Sequence, residues 1–219
     1  KGQAGGGMAE AVTNSLSKLR DEDISAIVTY LRTVPAVADK AATRAAFAWG
    51  DSAQAPGEQA VRGTGAPITS GAVLYSGLCA SCHGPQGEGS KDGYYPSLVH
   101  NSTVGMTRPQ NLVATIIGGI DREVDGHHVV MPHFSEGSYV QALSDADIAA
   151  VATYVRTSFG PGDQVTEAQV ALIRDGGEKP LLAKIARLWL PLLILGLAAF
   201  VVVILMVRRA WKKRRLRRA

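Results

Sequence analysis

Two stretches of the chain repeat the same pattern of apolar and polar positions. Nine residues of the first stretch, from Leu19 to Thr33, recur at a constant offset of 124 positions, from Leu143 to Thr157. In both stretches the apolar residues fall on one helix face, so each stretch predicts an amphipathic helix. The apolar stripes are Ile24, Ile27, Val28 and Leu31 in the first copy, and Ile148, Val151, Ala152 and Val155 in the second.

The starts of the two repeated helices differ. Ser144 followed by Asp147 predicts a capping box at the second helix, because each residue can bond the other's backbone N–H. Arg20 takes the place of Ser144 in the first copy. We therefore expect Asp21 to cap the first helix.

A third apolar stretch is continuous rather than periodic. Twenty residues from Leu188 to Val207 carry no charge, and a helix of about 1.5 Å per residue and this length crosses the ~30 Å core of a bilayer. Pro191 is expected in the first turn, where a missing N–H costs little. Trp189 and Trp211 stand where interfacial aromatic residues belong. We predict one transmembrane helix rather than a buried core helix.

Positive charge is concentrated after this helix. Eight of the 23 Lys and Arg residues lie in the last twelve positions, so the formal net charge of +4 belongs to the tail and the rest is mildly acidic. No nucleic-acid partner is expected, since one would need basic residues spread over a folded face. The positive-inside rule places the C-terminus in the cytoplasm and the preceding part outside. The eight residues are Arg208, Arg209, Lys212, Lys213, Arg214, Arg215, Arg217 and Arg218.

The candidate chemistry lies in the sequence Cys79-Ala80-Ser81-Cys82-His83, which holds both cysteines of the chain. Two thiols three residues apart can form thioethers to haem vinyl groups while the adjacent imidazole binds iron, so the motif predicts covalent haem c attachment. The alternatives are a redox dithiol and half of a zinc site. A zinc site would need more ligands at suitable spacing, and a thioredoxin-like dithiol would need a βαβ pattern.

The flanking residues predict how this motif is held. Ser70 is expected to cap a helix that runs through Val73 and Leu78 into Cys79. After His83, a glycine-rich loop over residues 84–89 lets the backbone pass close to a flat ligand.

A haem iron bound by His83 needs a sixth ligand unless the site is open to small molecules. Met131 is our choice because it is followed by Pro132 and lies shortly before the second repeated helix. A thioether favours the reduced iron and raises the potential relative to two imidazoles. The alternative makes Met131 core packing, with His127 or His128 on the iron. The other candidates considered are Met106, His100 and His133.

Met8 stands before the first repeated helix much as Met131 stands before the second. Residues 1–35 are therefore expected to be the C-terminal part of a preceding domain. Met8 would then ligate a second haem attached upstream of this chain. In the alternative, Met8 is an ordinary loop residue.

Several short motifs accompany the attachment site. They are Tyr95-Pro96-Ser97-Leu98, Asn101-Ser102-Thr103-Val104, Pro109-Gln110-Asn111-Leu112, Met131-Pro132-His133-Phe134 and Leu143-Ser144-Asp145-Ala146-Asp147-Ile148. Together they resemble the multi-haem cytochrome c subunits of bacterial membrane-bound alcohol, aldehyde and gluconate dehydrogenases. The resemblance covers residues 1–35 and 69–160, although only one attachment motif is present.

This resemblance implies a function and further site contacts. Cys79 and Cys82 would bind haem covalently, His83 and Met131 would ligate iron, and the Pro96 carbonyl would contact the His83 imidazole. Electrons would pass from a periplasmic dehydrogenase subunit, of the PQQ, flavin or molybdopterin type, to ubiquinone. The chain would lie in the cell inner membrane as a single-pass protein with periplasmic haem domains, because c-type haem is attached outside the cytoplasm.

The predicted fold is all-α, with a class I cytochrome c domain, part of a preceding one and one transmembrane helix. The predicted segments are 1–35, the domain remnant; 36–68, a linker; 69–160, the complete domain; 161–187, a tether; 188–207, the membrane helix; and 208–219, the basic tail.

Other functions compete with this interpretation. The chain could feed a terminal oxidase, sense a small ligand through an open haem, or tether a structural haem. No acid, base or nucleophile for oxidising a substrate is evident, so any enzymatic role would belong to a complex.

Overall fold

The computed structural model describes residues 2–37, 39–53, 55, 61, 65–124 and 126–216, with backbone only at 184, 187, 188, 190 and 210–216. Lys1, Asp125, ten of the 33 residues of the predicted linker and the last three tail residues lie outside the described residues. The chain divides into two units, residues 1–176 and residues 177–219.

The described chain is mostly helical, with one antiparallel pair of strands. The helices are α1 (Gly7–Asn14), α2 (Asp21–Thr33), α3 (Gly71–Leu78), α4 (Ala80–His83), α5 (Ser102–Gly105), α6 (Gln110–Gly118), α7 (Asp145–Phe159), α8 (Glu167–Arg174) and α9 (Leu181–Leu216); the strands are β1 (Ile120–Val124) and β2 (His127–Met131). Short 3₁₀ turns occupy Leu16–Lys18 and Ala46–Ala48.

Helix α7 is the centre of the first unit and contacts α3, α5, α6 and α8. The predicted capping box is confirmed, since Ser144 and Asp147 bond each other's backbone N–H. Gly71 allows α3 to lie against α7, because a Cβ there would overlap the Ala150 carbonyl. The ring of Tyr75 then packs 5.1 Å from that of Tyr154. This crossing supports the start of α3 and so the segment that leads to Cys79.

The hairpin departs from the all-α expectation. It pairs Ile120 with Met131 at its base and Val124 with His127 next to a two-residue connection. Asp-Gly is a strong hairpin turn, and Gly126 has the positive φ, +74°, that such turns need. Met131 therefore ends a strand, an element that the predicted all-α fold does not contain.

Residues 161–176, the first part of the predicted tether, belong to the first unit and pack on its core. Helix α8 begins with a capping box between Thr166 and Gln169, and Val170 is fully buried in the core. Arg174 forms an ion pair with Asp145 at 2.7 Å. The compact unit thus extends to residue 176.

The N-terminal residues lie along the same unit. The Gln3 N–H donates to Thr103 Oγ1 at 2.9 Å, and the Gly5 N–H donates to Asn111 Oδ1 at 2.7 Å. The Asn111 amide in turn donates to the Gln3 carbonyl at 2.6 Å. Farther along, α2 forms as predicted, but its apolar stripe is exposed. Asp21 is its first helical residue rather than its cap, and no side chain caps it.

The second unit contains α9, a 36-residue helix. Its segment Pro191–Arg209 is long and apolar enough to cross a membrane, and none of it is buried. Pro191 lies ten residues inside the helix, so the expectation of a first-turn proline is wrong. The helix starts earlier than predicted because residues 181–187 continue it on the N-terminal side.

Candidate haem site

Cys79 ends α3 and begins α4, so the attachment motif lies at a junction of two helices. The Ser70 hydroxyl accepts from the Val73 N–H and starts α3 as predicted. The His83 N–H donates to the Cys79 carbonyl at 2.9 Å, which winds the motif into one helical turn. Residues three and four apart share a helix face, so this turn presents both sulfurs and the imidazole on one side.

The two cysteines do not form a disulfide. Burial, and secondarily the nearby Cys82 sulfur, raises the pKa of Cys79 to about 12. A reactive dithiol or a zinc ligand needs a readily formed thiolate. The described residues also contain no cluster of three or more Cys, His, Asp or Glu able to hold a metal ion. The described residues therefore offer no further zinc ligands beside the motif, and a buried thiol of raised pKa differs from the low-pKa thiol of a reactive dithiol.

One nitrogen of His83 is held by the backbone. Its Nδ1 lies 2.8 Å from the Pro96 carbonyl. Burial lowers the pKa of this imidazole, and the hydrogen bond to Pro96 opposes the shift. A neutral ring that donates from Nδ1 leaves Nε2 with a lone pair for a metal. His83 thus has the tautomer of an axial iron ligand.

A tight backbone arrangement presents Pro96 to His83. The Gly89 N–H donates to the His83 carbonyl at 2.7 Å, and the Leu98 N–H donates to the Gly87 carbonyl at 2.8 Å. Gly89 has φ +71°, and a Cβ there would lie 2.5 Å from the Tyr95 carbonyl. Glycine is required at this position because the two backbone segments nearly touch.

Met131 is half-buried at the end of β2 and packs against the core. Gly119, with φ +67°, lets the backbone of residues 131–133 pass close by, since a Cβ there would lie 2.6 Å from the Met131 carbonyl. The Phe134 N–H also donates to the Ile116 carbonyl at 3.1 Å. The end of α6 and the strand pairing thus fix the backbone on both sides of Met131.

Arg122 is a residue that the sequence analysis did not single out. Directly opposite residues of an antiparallel pair share a face, so the pairs Ile120–Met131 and Arg122–Val129 place Arg122 on the face of Met131. Its Nε is buried without a hydrogen-bond partner among the described residues. The thiols, the oriented imidazole and the thioether of Met131 fit a haem, while Arg122, a candidate donor for one of its carboxylates, lines a cavity together with residues of α1. No periodicity in the sequence of β1 marks this residue, because Asp121, Arg122 and Glu123 are consecutive charged residues.

Three of the other candidate histidines have partners within the protein. His128 Nε2 lies 2.7 Å from Asp121 Oδ1, and that hydrogen bond raises the pKa of His128. His100 Nδ1 contacts the Phe47 carbonyl at 3.1 Å, and His133 Nδ1 contacts the Ser135 hydroxyl at 2.9 Å.

The remaining candidates are on the surface. His127 is exposed next to the hairpin turn. Met106 is about half exposed after α5, and Met8 is 57% exposed in the first turn of α1. The structure does not gather these residues around the 79–83 turn, so Met131 is the candidate that packs on the same core as Cys79.

Residues 68–159 match the cytochrome c family. The chain is 44% identical, over 218 residues, to the fructose dehydrogenase cytochrome subunit of Gluconobacter japonicus, covering 95% of this chain and 44% of that protein. It is 32% identical over 185 residues to the alcohol dehydrogenase (quinone) cytochrome c subunit of Komagataeibacter europaeus, covering 78% and 35%. It is 30% identical over 174 residues to the gluconate 2-dehydrogenase cytochrome c subunit of Pantoea cypripedii, covering 77% and 36%. The chain thus spans less than half the length of these relatives.

Proposed function

Residues 68–159 belong to the cytochrome c family and the chain is homologous to cytochrome subunits of dehydrogenases, and we propose that it carries electrons from a periplasmic dehydrogenase subunit to ubiquinone. The observation that carries this proposal is the helical turn from Cys79 to His83, with the imidazole oriented by the Pro96 carbonyl. A cytochrome c domain binds haem c covalently. The haem supplies one-electron exchange at its iron.

The residues of this chain bind and orient that haem. Cys79 and Cys82 form the two thioethers, and His83 provides Nε2 to the iron. The Pro96 carbonyl holds the Nδ1 proton, which fixes the ring and increases the basicity of Nε2. Arg122 supplies a donor for a haem carboxylate. Cys79 packs against a core that includes Tyr75 and Val155, which are 2% and 4% exposed. A low-dielectric surrounding is one of the features that set a haem potential.

Met131 is the sixth ligand in this proposal. Its support is the rigid strand end, the packing on the same core as Cys79, and the engagement of three alternative histidines elsewhere. If His83 and Met131 both ligate the iron, a small ligand would have to displace one of them. The small-ligand sensor function is therefore not favoured.

Residues 1–35 form the C-terminal part of a preceding cytochrome c domain in this proposal, with Met8 as the ligand of its haem. The repeat at an offset of 124 residues supports this, as do the exposed apolar stripe of α2 and the greater length of the relatives. Electrons would then pass from haem to haem within one polypeptide.

The second unit anchors the chain in the inner membrane. The support is the apolar segment Pro191–Arg209, followed by a basic tail that favours a cytoplasmic C-terminus. The partner dehydrogenase would bind outside the membrane and use PQQ, a flavin or molybdopterin. The names of the relatives favour a dehydrogenase over a terminal oxidase as the partner.

The test is the covalent haem count of the natural polypeptide, by mass, together with its reduced-minus-oxidised spectrum. We expect haem on the peptide that contains Cys79 and Cys82, and loss of that haem in the variant with both cysteines changed to alanine. Met106→Leu is the matched control and should retain the full haem count. Absence of covalent haem on this peptide would sink the proposal, and a single haem per natural chain would remove the role of Met8.

A further inference from the structure

The segment from Ser90 to Tyr95, called the 90–95 loop here, is closed by its own hydrogen bonds. The Ser90 N–H donates to the Tyr95 carbonyl at 3.0 Å, and the Tyr95 N–H donates to the Ser90 hydroxyl at 2.9 Å. Asp92 accepts from the Tyr94 N–H at 3.0 Å and from the Ser90 hydroxyl. These two donors lower the pKa of Asp92, so it remains an ionised acceptor. The loop is therefore exposed but internally fixed.

Both ends of the 90–95 loop are attached to the His83 side of the site. Gly89, just before the loop, donates its N–H to the His83 carbonyl. Pro96, just after it, presents its carbonyl to His83 Nδ1. Because the residues on both sides of the loop contact His83, the loop has a fixed position relative to this proposed iron ligand.

Tyr94 connects this loop to the other side of the site. Its hydroxyl donates to the carbonyl of His128 at 3.1 Å. Among the described residues this is the one side-chain hydrogen bond that joins the 90–95 loop to the hairpin. The Tyr94 ring is oriented by the ring of Tyr95, which meets it edge-on at 4.9 Å. The bond therefore comes from a side chain with a defined direction.

His128 lies on β2, three residues before Met131. A β-strand is an extended, stiff segment of about 3.3 Å per residue, so holding one residue limits the movement of the next few. In a two-stranded sheet, every second carbonyl of a strand points away from its partner strand and needs another donor. The Tyr94 hydroxyl supplies such a donor to β2.

We propose that Tyr94 is a positioning residue that holds β2, and with it Met131, in the place from which Met131 would ligate the iron. This inference rests on the proposed iron ligation by Met131. The 90–95 loop then links the supports of both axial ligands: Pro96 orients His83, and Tyr94 restrains the strand of Met131. A net hydrogen bond of ordinary strength corresponds to a 2- to 12-fold change, approximately, in the ratio of Met-bound to Met-free iron.

The test uses Tyr94→Phe in the full haem-loaded chain, because phenylalanine keeps the ring and removes the hydroxyl. The matched control is Tyr139→Phe, since Tyr139 is 74% exposed. Imidazole, which competes with a methionine thioether for ferric iron, is titrated into each protein. The absorption band of ferric iron bound to a thioether is followed. We expect Tyr94→Phe to bind imidazole about 2- to 12-fold more tightly, and the control to match the unchanged protein.

Two outcomes would overturn the inference. A third would overturn its premise, the iron ligation by Met131. If Tyr94→Phe and the unchanged protein bind imidazole equally, Tyr94 does not position Met131. If Tyr94→Phe only lowers the thermal unfolding midpoint and leaves imidazole affinity unchanged, its role is structural alone. If the unchanged protein lacks the thioether band, or Met131→Ala retains it, the proposed ligation by Met131 itself is wrong.

Discussion

Helices α2 and α7 have nearly the same sequence pattern but opposite environments. The stripe of α7 is buried: Ile148, Val151, Ala152 and Val155 are 0%, 2%, 0% and 4% exposed. The matching residues of α2, Ile24, Ile27, Val28 and Leu31, are 40%, 44%, 39% and 60% exposed. An amphipathic pattern thus specifies a helix and the face it would bury, while burial itself depends on the elements that cover that face.

The elements that cover α7 come from other parts of the first unit. Helix α3 crosses it at Gly71, and α5, α6 and α8 pack along it. Among the described residues no corresponding set covers the stripe of α2. Substitutions at three pairs of equivalent positions, each 124 residues apart, test this contrast.

The largest contrast is expected at Arg156 and Arg32. The Arg156 side chain is fully buried and donates to the carbonyls of Val104, Met106 and Thr107 and to Asp163. Arg156→Met leaves these acceptors without their donor and should lower the free energy of unfolding by about 3–5 kcal/mol. Arg32→Met, on the exposed α2, should change it by less than about 0.5 kcal/mol. Denaturant unfolding of the haem-loaded chain, followed by circular dichroism, measures both, and equal effects would refute the contrast.

The second contrast tests the apolar stripes directly. Ile148→Ala removes a fully buried side chain and should cost about 2–5 kcal/mol, measured by the same unfolding transition. Ile24→Ala should change the free energy of unfolding by no more than about 0.5 kcal/mol in this chain.

The same pair also tests the proposal for residues 1–35. If residues 1–35 belong to a preceding domain as proposed, a longer polypeptide that contains this domain would bury the stripe of α2, and Ile24→Ala should then become nearly as costly as Ile148→Ala. A substitution that stays neutral in the longer polypeptide would mean that α2 is not part of a second core.

Local signals explain how much of the fold could be predicted. The Ser70 cap, the capping box at Ser144 and the helix at residues 21–33 each depend on residues within one or two helical turns, and all are confirmed. The attachment motif is equally local, since three side chains within five residues define it. Such features need no knowledge of the surrounding fold.

The missed features depend on distant contacts. The hairpin carries Asp121, Arg122 and Glu123 in its first strand, which hides the alternation expected of a half-buried strand, and two strands alone are marginal in water. The packing of α8 on α7 joins residues that no periodicity relates. The position of Arg122 on the face of Met131 depends on the strand register, and the burial of its unpaired Nε depends on the surrounding fold.

The smallest contrast concerns the helix starts. Ser144→Ala breaks the capping box of α7 and should lower the free energy of unfolding by about 1 kcal/mol. Arg20→Ala, at the equivalent position, removes only exposed ion pairs with Glu22 and Asp23 and should cost less than about 0.5 kcal/mol.

The reverse substitution, Arg20→Ser, tests whether a capping box stabilises the start of α2. Asp23 already occupies the position that Asp147 holds in α7, so a serine at residue 20 recreates the full capping box. We expect amide hydrogen exchange in α2 to slow about 2- to 5-fold, because the added cap contributes roughly 0.5–1 kcal/mol to a helix that opens locally. Exchange in α7 serves as the internal control and should not change. If exchange in α2 is unaffected, the exchange rate of this helix is set by opening along its whole length and not by fraying at its uncapped start. The difference in stability between α2 and α7 would then come from packing alone.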